Sequence, residues 1–355
     1  MVPWRGGDEP KRGGSVKVAR IHGIGDLRLE DVDRPSPGPR DILVKTRASG
    51  ICSSDFMPWY IQRKAPLVFG HEPAGEVVEV GVEVTEFKPG DRVFAHHHAP
   101  CFRCNACRRG AYAMCETWKK SRLDPGGMSE YFRVPETNLT DTLLLPGHLS
   151  YEDGALLEPT GCVVRALKRA RIVPGDTLLV IGLGVMGQML TALGHHYGAR
   201  KVIASDFVAS RRDMVLRLGA DAVIDPAAGR LPDAVRELNG GRLADVVIVG
   251  PPFIKAMEEG LTAVEQGGTV VLFSPTPPGE MLTFEPHWLY FNDITLVPSY
   301  SAGPDDTRDA LTLFREGVLS ARDIVTHRYP LSQVGEAYQA MARGGNVVKA
   351  MILFD

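Results

Sequence analysis

The sequence predicts a two-part α/β protein, with an antiparallel β domain first and a doubly wound parallel sheet after it. Three observations support this prediction. Residues 16–150 contain short β-like runs broken by Gly and Pro, which is typical of an antiparallel, partly barrel-like domain. A short apolar run at 177–181 is then followed by a glycine-rich turn and a helical apolar pattern. Further strand-like and helical segments alternate beyond it, as in parallel sheets.

The elements follow in chain order. Strand-like runs of the first part lie at 27–32, 41–48, 75–80, 92–95 and 131–134. Those of the second part lie at 177–181, 202–204, 222–224, 245–249 and 269–273. The helix after the glycine turn is expected to end before Gly198, and a helix over 208–218 before Gly219. Another helix is expected around Ala234, an amphipathic helix over 305–316, and a closing strand over 347–353.

The glycine turn has the spacing of a dinucleotide-binding unit. Gly182 suits the tight turn, Gly184 lets backbone N–H groups approach a pyrophosphate, and Gly187 lets the helix lie close to the strand. Val185 and Met186 complete this turn and are counted with the cofactor-binding residues. The complete succession of strand, turn, helix, strand and acid is a far more specific signal for dinucleotide binding than the glycines alone.

An acid selects among the cofactors that such a unit binds. Asp206 lies at the end of the next strand, where it can accept hydrogen bonds from both hydroxyls of an adenosine ribose. A carboxylate there repels a 2′-phosphate, so NAD is predicted over NADP. Arg211 and Arg212 are interpreted as solvated helix arginines, with capture of a 2′-phosphate as the alternative; Arg211 is counted among the cofactor candidates. Ser274 follows the last predicted strand, near the expected nicotinamide position.

Length and charge limit the other possibilities. A chain of 355 residues has material for about two domains. A net charge of −3 with mixed signs provides no basic stripe for nucleic acid. No apolar run reaches the roughly 18 to 20 residues of a membrane span, and the start has no signal-peptide core, so the cytoplasm is the expected location. Residues 1–15 are rich in Gly, Pro and charge and are expected to be a disordered leader or an over-extended start.

Four of the six cysteines crowd one short segment. Cys101, Cys104 and Cys107 are spaced three residues apart, and Cys115 follows eight residues later. Such crowding in a cytosolic chain indicates a metal rather than disulfides. Zn²⁺ is the first choice for a closed, structural four-thiolate site; an iron–sulfur cluster also takes four thiolates, but nothing nearby indicates electron transfer. The adjacent histidines 96–98 are interpreted as loop or pocket-edge residues, because four thiolates already fill the shell.

A second set of metal ligands is more dispersed. Cys52 and His71 are good Zn²⁺ ligands, but a catalytic site needs a third protein ligand and one open position. Glu158 is the best candidate, because a carboxylate between apolar residues and a proline is costly to bury unpaired. Each residue also has an ordinary interpretation, as a buried thiol, a core histidine and an acid at a helix start. Taken alone, each of these residues has the ordinary structural role more often than the role of a metal ligand.

The motifs together resemble the zinc-dependent medium-chain dehydrogenases, the alcohol and polyol dehydrogenase superfamily. The resemblance rests on GICSSD around Cys52, GHEPAGEVVEVG from Gly70, PGDRV from Pro89, the cysteine segment and GLGVMG, and it extends from about residue 16 to 355. It implies a GroES-like catalytic domain over 16–164 and 299–355 and a Rossmann NAD-binding domain over 165–298. It also implies a catalytic zinc on Cys52, His71 and Glu158, with Glu72 as a neighbouring or exchanging ligand.

The same resemblance implies roles for several pocket residues and shows where this chain departs from the family. Ser54 resembles the hydroxyl that bonds the substrate oxygen and passes its proton outward. Many relatives have a histidine three residues later, whereas this chain has Met57, so the proton is expected to leave through ribose and water, or through Glu72 or Glu158. Tyr300 is expected to form a wall of the substrate pocket. It follows Ser299, where sorbitol dehydrogenases have arginine, and the missing arginine argues against a sorbitol enzyme.

Trp118 and Lys119 lie where relatives line the substrate cleft, with a surface loop as an equally weighted alternative.

The functional prediction is hydride transfer between NAD and a secondary alcohol of a polyol, cyclitol or amino-cyclitol. The Glu158-Pro159 pair is similar to the sorbitol, threonine and cyclitol dehydrogenase branch. A threonine-dehydrogenase-like amino-alcohol enzyme is the alternative, and a catalytically silent NAD-binding member is the remote one. Two zinc ions per chain, a small polyhydroxylated substrate and a homodimer or homotetramer are expected, with no nucleic-acid or membrane partner.

Overall fold

The computed structural model describes residues 14–355, so most of the expected leader lies outside the described residues. Its antiparallel part contains β1 (Ser15–Gly23), β2 (Asp26–Asp33), β3 (Ile42–Gly50), β4 (Leu67–Val68), β5 (Pro73–Val80), β6 (Arg92–Ala95), β7 (Tyr131–Val134) and β8 (Thr142–Leu144). The parallel part contains β9 (Thr177–Ile181), β10 (Lys201–Ser205), β11 (Ala222–Ile224), β12 (Ala244–Val249), β13 (Val264–Leu272) and β14 (Thr295–Pro298). The closing strands are β15 (His327–Pro330) and β16 (Ala350–Leu353).

The helices lie between these strands. The first part has α1 (Pro58–Lys64), α2 (Asn105–Arg108), α3 (Glu116–Lys120), α4 (Glu136–Leu139), α5 (Tyr151–Ala155) and α6 (Leu157–Ala170). The second part has α7 (Val185–Gly194), α8 (Ala209–Arg217), α9 (Leu231–Leu238), α10 (Ile254–Thr262) and α11 (Pro286–Phe291). The last part has α12 (Pro304–Arg315), α13 (Ala321–Ile324) and α14 (Val334–Arg343). Short 3-10 turns lie at Ser53–Phe56, Tyr112–Met114 and Leu331–Gln333.

The antiparallel sheet brings distant segments to one edge. Its order is β15-β16-β3-β5-β6-β8, with β7 also paired to β3. Because β3 and β5 are antiparallel, the end of β3 lies beside the start of β5, with Ser49 opposite Pro73. Since β6 is antiparallel to β5, the end of β6 reaches the same edge. The chain after β3, before β5 and after β6 therefore converges at one place.

The parallel sheet has the strand order β11-β10-β9-β12-β13-β14. The order reverses between β9 and β12, and in open α/β sheets ligands bind at the carboxyl ends of the strands at such a reversal. The glycine turn follows β9 at this point. Strand β9 is completely buried, as its continuous apolar sequence predicts. The predicted α/β fold class, with an antiparallel and a doubly wound part, is confirmed.

The end of the chain returns to the antiparallel sheet. Strand β16 pairs with β3, placing Met351 opposite Gly50. A core of buried side chains joins this sheet to the parallel sheet, and α6 lies within that core: Val163, Val164 and Leu167 pack in the same cluster as Leu190. No helix within residues 14–355 is both long and apolar enough to span a membrane.

The helix after the glycine turn ends as predicted. Regular helix α7 ends at Gly194, and the chain continues in one further turn, in which the N–H of Tyr197 bonds the carbonyl of Leu193. Gly198 has φ +106°, its N–H bonds the carbonyl of His195, and the N–H of Ala199 bonds the carbonyl of Gly194. These two bonds form a Schellman motif with Gly198 as the C′ residue.

Candidate active site and metal centres

Cys52, His71 and Glu72 meet where the ends of β3 and β5 converge. Cys52 is the second residue after β3, and His71 and Glu72 are the two residues before β5. One ligand atom from each lies within 4.8 Å of the others. A thiolate, an imidazole and a carboxylate at this separation suit Zn²⁺, with a position left for substrate.

The groups around His71 favour positive charge at this position. Burial opposes that charge, but the Cys52 sulfur and the Asp55 carboxylate raise the pKa of His71 well above its ordinary value. The Nδ1 atom of His71 lies 3.8 Å from Oδ1 of buried Asp55. Ser54 donates a hydrogen bond to the sulfur of Cys52 at 3.4 Å. The site formed by Cys52, His71 and Glu72 is therefore electron-rich and suited to a cation.

Glu72 has a buried cationic partner. The Nζ atom of Lys349, just before β16, donates to Oε2 of Glu72 and to the carbonyl of Ile51, the latter at 3.0 Å. A Cβ at Gly50 would collide with the Glu72 carboxylate, so the pair requires glycine there. The other oxygen, Oε1, is buried without a hydrogen-bond partner among the described residues. This free oxygen is available to a metal.

Glu158 projects from the first turn of α6 and is 5 % exposed. Its carboxylate groups most closely with His96 and His97, within 4.8 Å, rather than in the Cys52, His71 and Glu72 set. The two sets adjoin, since the rings of His71 and His97 are 5.0 Å apart. Burial raises the pKa of Glu158, and Cys162 donates to its Oε1 at 3.6 Å.

The three adjacent histidines lie in a loop directly after β6, as predicted, but His96 is buried within the protein. That side chain is fully buried, and its Nδ1 lies 2.6 Å from Oδ2 of Asp141. Thr307 in turn donates to Oδ1 of Asp141 at 2.6 Å. His98 differs from its neighbours: Nδ1 bonds the carbonyl of Ser121 at 2.7 Å, and the ring packs 4.1 Å from that of Trp118.

The four clustered cysteines enclose a point, as their spacing predicts. Their sulfur atoms all lie within 4.8 Å of one another, with Cys104 and Cys107 3.5 Å apart. The backbone N–H of Cys101 donates to the sulfur of Cys115 at 3.4 Å. This arrangement fits a closed tetrahedral zinc site.

The thiol pKa values in this cluster diverge. Backbone N–H groups of Arg103 and Cys104 lower the pKa of Cys101 to about 6, whereas burial and the neighbouring sulfurs raise the pKa of Cys107 to about 12. Four thiolates cannot share so small a volume without a cation between them. Full ionisation at neutral pH therefore requires a bound metal, which is how metal binding couples to folding.

The glycine turn has the geometry expected of a pyrophosphate site. Gly182 has φ +84°, a conformation that favours glycine. A Cβ at Gly187 would collide with the carbonyl oxygen of Gly182, so the close approach of helix and strand requires glycine. A Cβ at Gly184 would meet no described protein atom within 4 Å. The space beside Gly184, Val185 and Met186 is thus open to a ligand at the N-terminus of α7.

Asp206 is held firmly at the end of β10. Its Oδ2 accepts from the backbone N–H of Leu183 at 2.7 Å, and Oδ1 accepts from that of Val208 at 2.8 Å. Each carboxylate oxygen has a second lone pair, so both can still accept from ribose hydroxyls.

The two arginines that follow Asp206 are not solvated, contrary to the expectation. Arg212 donates to the carbonyl of Asp206 at 2.6 Å and to Asp225 at 2.9 Å. Arg211 donates to the carbonyl of Gly345 at 3.0 Å, and its Nη1 lies 3.8 Å from Oδ2 of Asp206. Their guanidinium groups are tethered by the fold rather than extended into solvent.

A cavity of about 390 Å³ lies beyond the ends of β13 and β14. Ser274 and Tyr300 both line it, as does buried Ser299. Trp118 is buried, so the surface-loop alternative is wrong for this residue; its ring lies 5.8 Å from that of Tyr300.

The remaining pocket candidates lie closer to the surface. Lys119 is half-exposed and lies 3.9 Å from Glu116. Met57 is partly buried and precedes α1. Their predicted roles in the substrate pocket stay predictions.

Sequence reasoning missed the residues that support these sets. Lys349, Asp55 and Asp141 are buried partners of the candidate ligands. A lysine inside the apolar run 347–353 was a usable signal, because a buried cation requires a partner. Asp141 gave no such signal, since its contact with His96 depends on how β8 pairs with β6.

Comparison with known proteins agrees with this geometry. The family profile described as "Alcohol dehydrogenase GroES-like domain" matches residues 38–145, and that described as "Zinc-binding dehydrogenase" matches residues 185–316. Among curated relatives, the "Probable D-xylulose reductase A" of Aspergillus clavatus is 31% identical over 351 residues, covering 94% of this chain and 95% of that protein. The L-threonine 3-dehydrogenase of Symbiobacterium thermophilum is 34% identical over 330 residues, covering 89% and 91%. The crystal structure of 2R,3R-butanediol dehydrogenase from Bacillus subtilis is similar at a TM-score of 0.85 and 27% identity, covering 96% of this chain and 99% of that one.

The fold, the metal-ligand sets and these similarities define a class of enzyme. The chain belongs to the zinc-dependent medium-chain dehydrogenases, so the resemblance inferred from its motifs is confirmed. It is an oxidoreductase of the alcohol and polyol dehydrogenase class. Zinc and a nicotinamide dinucleotide are its cofactors, and the cysteine cluster and the His, Glu and Cys groups fit structural and catalytic zinc sites.

Proposed function

We propose that this enzyme oxidises a secondary alcohol of a polyol, cyclitol or amino-cyclitol with NAD⁺, and reduces the corresponding ketone in reverse. The observation that carries the proposal is the convergence of Cys52, His71 and Glu72 within 4.8 Å, with the Glu158 set beside them. The similarity to a D-xylulose reductase and a butanediol dehydrogenase supports a substrate with neighbouring hydroxyl groups.

Cys52, His71 and Glu158 are proposed to hold the catalytic zinc, with Glu72 as an exchanging ligand. Zinc held by these residues would supply a Lewis acid that favours ionisation of the substrate hydroxyl, and NAD⁺ would supply the hydride acceptor. Ser54 is proposed to take the hydroxyl proton, because its Oγ already lies at the Cys52 sulfur, 3.4 Å away. From Ser54 the proton leaves through ribose hydroxyls and water, or through a carboxylate.

The substrate and the nicotinamide are proposed to meet at the cavity beyond β13 and β14. Ser274 and Tyr300 line that cavity. Trp118 is proposed to extend the wall, because its ring lies 5.8 Å from that of Tyr300 and 4.1 Å from that of His98. The pyrophosphate is proposed to bind at Gly182–Gly187 and the adenosine ribose at Asp206, with Arg211 beside it.

The chain is proposed to divide into a discontinuous catalytic domain, 16–164 and 299–355, and a coenzyme domain, 165–298. The pairing of β16 with β3 supports this division. A homodimer or homotetramer in the cytoplasm is also proposed. Strand β14 ends the parallel sheet, and Met281, Tyr290 and Phe291 near it are at least 70% exposed. An unpaired strand edge beside exposed apolar side chains favours association with a second copy.

The assay that tests this function measures NADH formation at 340 nm with zinc-loaded protein. The panel contains polyols, cyclitols, amino-cyclitols and hydroxy-amino acids, each with NAD⁺. We expect turnover with at least one polyhydroxylated substrate, lost in Cys52→Ser. Turnover confined to hydroxy-amino acids would establish the second candidate, an amino-alcohol enzyme, which the 34% identity to a threonine dehydrogenase favours. No turnover with any substrate would favour the silent member.

A further inference from the structure

We propose that His96, His97 and Glu158 form a second metal position, able to take Zn²⁺ beside the catalytic set. One ligand atom from each residue lies within 4.8 Å of the others. Donors about 2.0 to 2.1 Å from a tetrahedral ion lie about 3.3 Å apart, so small side-chain rotations bring the three to bonding distance. Two imidazoles and a carboxylate are a donor set that zinc accepts in proteins.

The state of His96 is the first independent support. Its Nδ1 lies 2.6 Å from Oδ2 of Asp141, and both side chains are fully buried. A carboxylate at Nδ1 holds the ring proton on that atom and leaves the lone pair of Nε2 free. This is the arrangement that orients metal-binding histidines, with a carboxylate on the nitrogen away from the ion.

The second support is that the free atoms have no other partner. Nε2 of His96 and Nδ1 of His97 are both buried and make no hydrogen bond within the part of the chain that the structure describes. An unpartnered buried polar atom costs about 1 to 3 kcal/mol, and a fully buried histidine with one free nitrogen requires an explanation. A metal ion satisfies Nε2, the His97 ring and the Glu158 carboxylate together.

Further hydrogen bonds fix the Asp141 carboxylate and the backbone of His96. Thr307, on α12, donates to Oδ1 of Asp141 at 2.6 Å. Asn138 donates to the backbone carbonyl of His96 at 3.0 Å, which fixes that backbone as well. His96 is therefore held directly by Asn138 and Asp141, and Asp141 in turn by Thr307, so the free nitrogen of His96 has a defined direction.

Glu158 connects this position with the catalytic set. The His71 and His97 rings are 5.0 Å apart, so both positions lie in one polar pocket. A carboxylate has two oxygens, and Glu158 can serve one position or the other. A zinc ion that loses its Cys52 ligand is thus expected to stay in the pocket, held by His96, His97 and Glu158.

The test uses the full-length protein with Cys52→Ser, which removes the thiolate of the catalytic set. After saturation with zinc and removal of free metal, we expect close to two zinc ions per chain in Cys52→Ser and close to one in Cys52→Ser/His96→Gln. His98→Gln in the same background is the matched control, because His98 bonds the Ser121 carbonyl and lies outside the set; it should keep both. Zinc-edge anomalous scattering from crystals of Cys52→Ser should place the ion among His96, His97 and Glu158.

Fold integrity is checked separately, by far-UV circular dichroism and thermal unfolding of each variant. If His96→Gln does not fold, Cys52→Ser/His97→Gln replaces it, because that variant keeps the contact between His96 and Asp141. Two zinc ions in Cys52→Ser/His96→Gln or in Cys52→Ser/His97→Gln, or an anomalous peak at His71 instead, would overturn the proposal. So would one zinc in Cys52→Ser alone, which would mean that Glu158 satisfies His96 by a hydrogen bond. None of these results depends on turnover, so failure here is distinct from failure of the proposed function.

Discussion

Lys349 Nζ donates to the carboxylate of Glu72 inside the protein, and neither side chain is accessible to solvent beyond 1%. The contact joins the segment before β16 to the segment before β5, and so ties the end of the chain to the candidate zinc ligands. The ammonium of Lys349 and the carboxylate of Glu72 stabilise each other, because an isolated buried charge is strongly unfavourable.

Replacing Lys349 by Met should therefore lower the free energy of unfolding by about 3 to 5 kcal/mol, the usual effect of leaving a buried charge uncompensated. Lys17→Met is the matched control, since Lys17 and Asp31 form an exposed pair, and it should cost less than about 1 kcal/mol. Urea unfolding at fixed zinc concentration measures both. Adding Glu72→Gln to Lys349→Met should recover part of the loss; no recovery would mean that packing, not charge, dominates.

The four-cysteine zinc site and the catalytic zinc site should differ in how quickly they lose metal. The four-cysteine site is closed, whereas the catalytic site keeps an exchange position. A mild chelator should abolish NADH formation first and lower the melting temperature later, as zinc content falls in two phases. Cys104→Ser should impair folding or assembly more than chemistry. A single phase, in which activity, stability and both metals are lost together, would contradict the assignment.

Cofactor preference should depend on Asp206. The carboxylate bonds Leu183 and Val208 and retains lone pairs for ribose, whereas a 2′-phosphate would meet its charge. We expect kcat/KM for NAD⁺ to exceed that for NADP⁺ by about 30- to 150-fold, and Asp206→Ala to reduce the ratio. Arg211→Ala tests the alternative that Arg211 binds the 2′-phosphate of NADP⁺. That alternative would hold if the unmutated enzyme used both cofactors equally and Arg211→Ala lost the activity with NADP⁺.

Proton exit should depend on Glu158 rather than on the position of Met57. Glu158 is buried beside the histidines, where a carboxylate can exchange between metal and water. Glu158→Gln should lower kcat by about 10²-fold or more, the size of a general-base contribution. Met57→His should leave kcat within about a few-fold, with Met57→Leu as the size-matched control. A large rise for Met57→His together with a mild effect of Glu158→Gln would place the base elsewhere.

Local sequence signals predicted the parallel sheet well. The strand Thr177–Ile181 and the glycine turn were predicted to the residue, because a buried apolar run and a Gly at φ +84° leave local signatures. Strand β14 was not predicted: it is short, lies at the sheet edge and contains Pro298. Edge strands tolerate such sequences, so their pattern is weak.

The candidate site was predictable only in part. Cys52 and His71 carry recognisable local motifs, and Glu158 stood out as an acid in an apolar context. The buried pairs Lys349 with Glu72 and Asp141 with His96 join residues far apart in sequence. Their contacts arise from strand pairing, which a single sequence does not specify.

Direct transfer of hydrogen from substrate carbon to the cofactor tests the central claim most directly. The measurement incubates zinc-loaded enzyme and NAD⁺ with a polyol deuterated at its secondary carbinol carbons, and determines the mass of the reduced cofactor. We predict NADH that carries one deuterium, formed by the unmutated protein and abolished in Cys52→Ser. Reduced cofactor without deuterium, or an unchanged yield in Cys52→Ser, would contradict hydride transfer at this site.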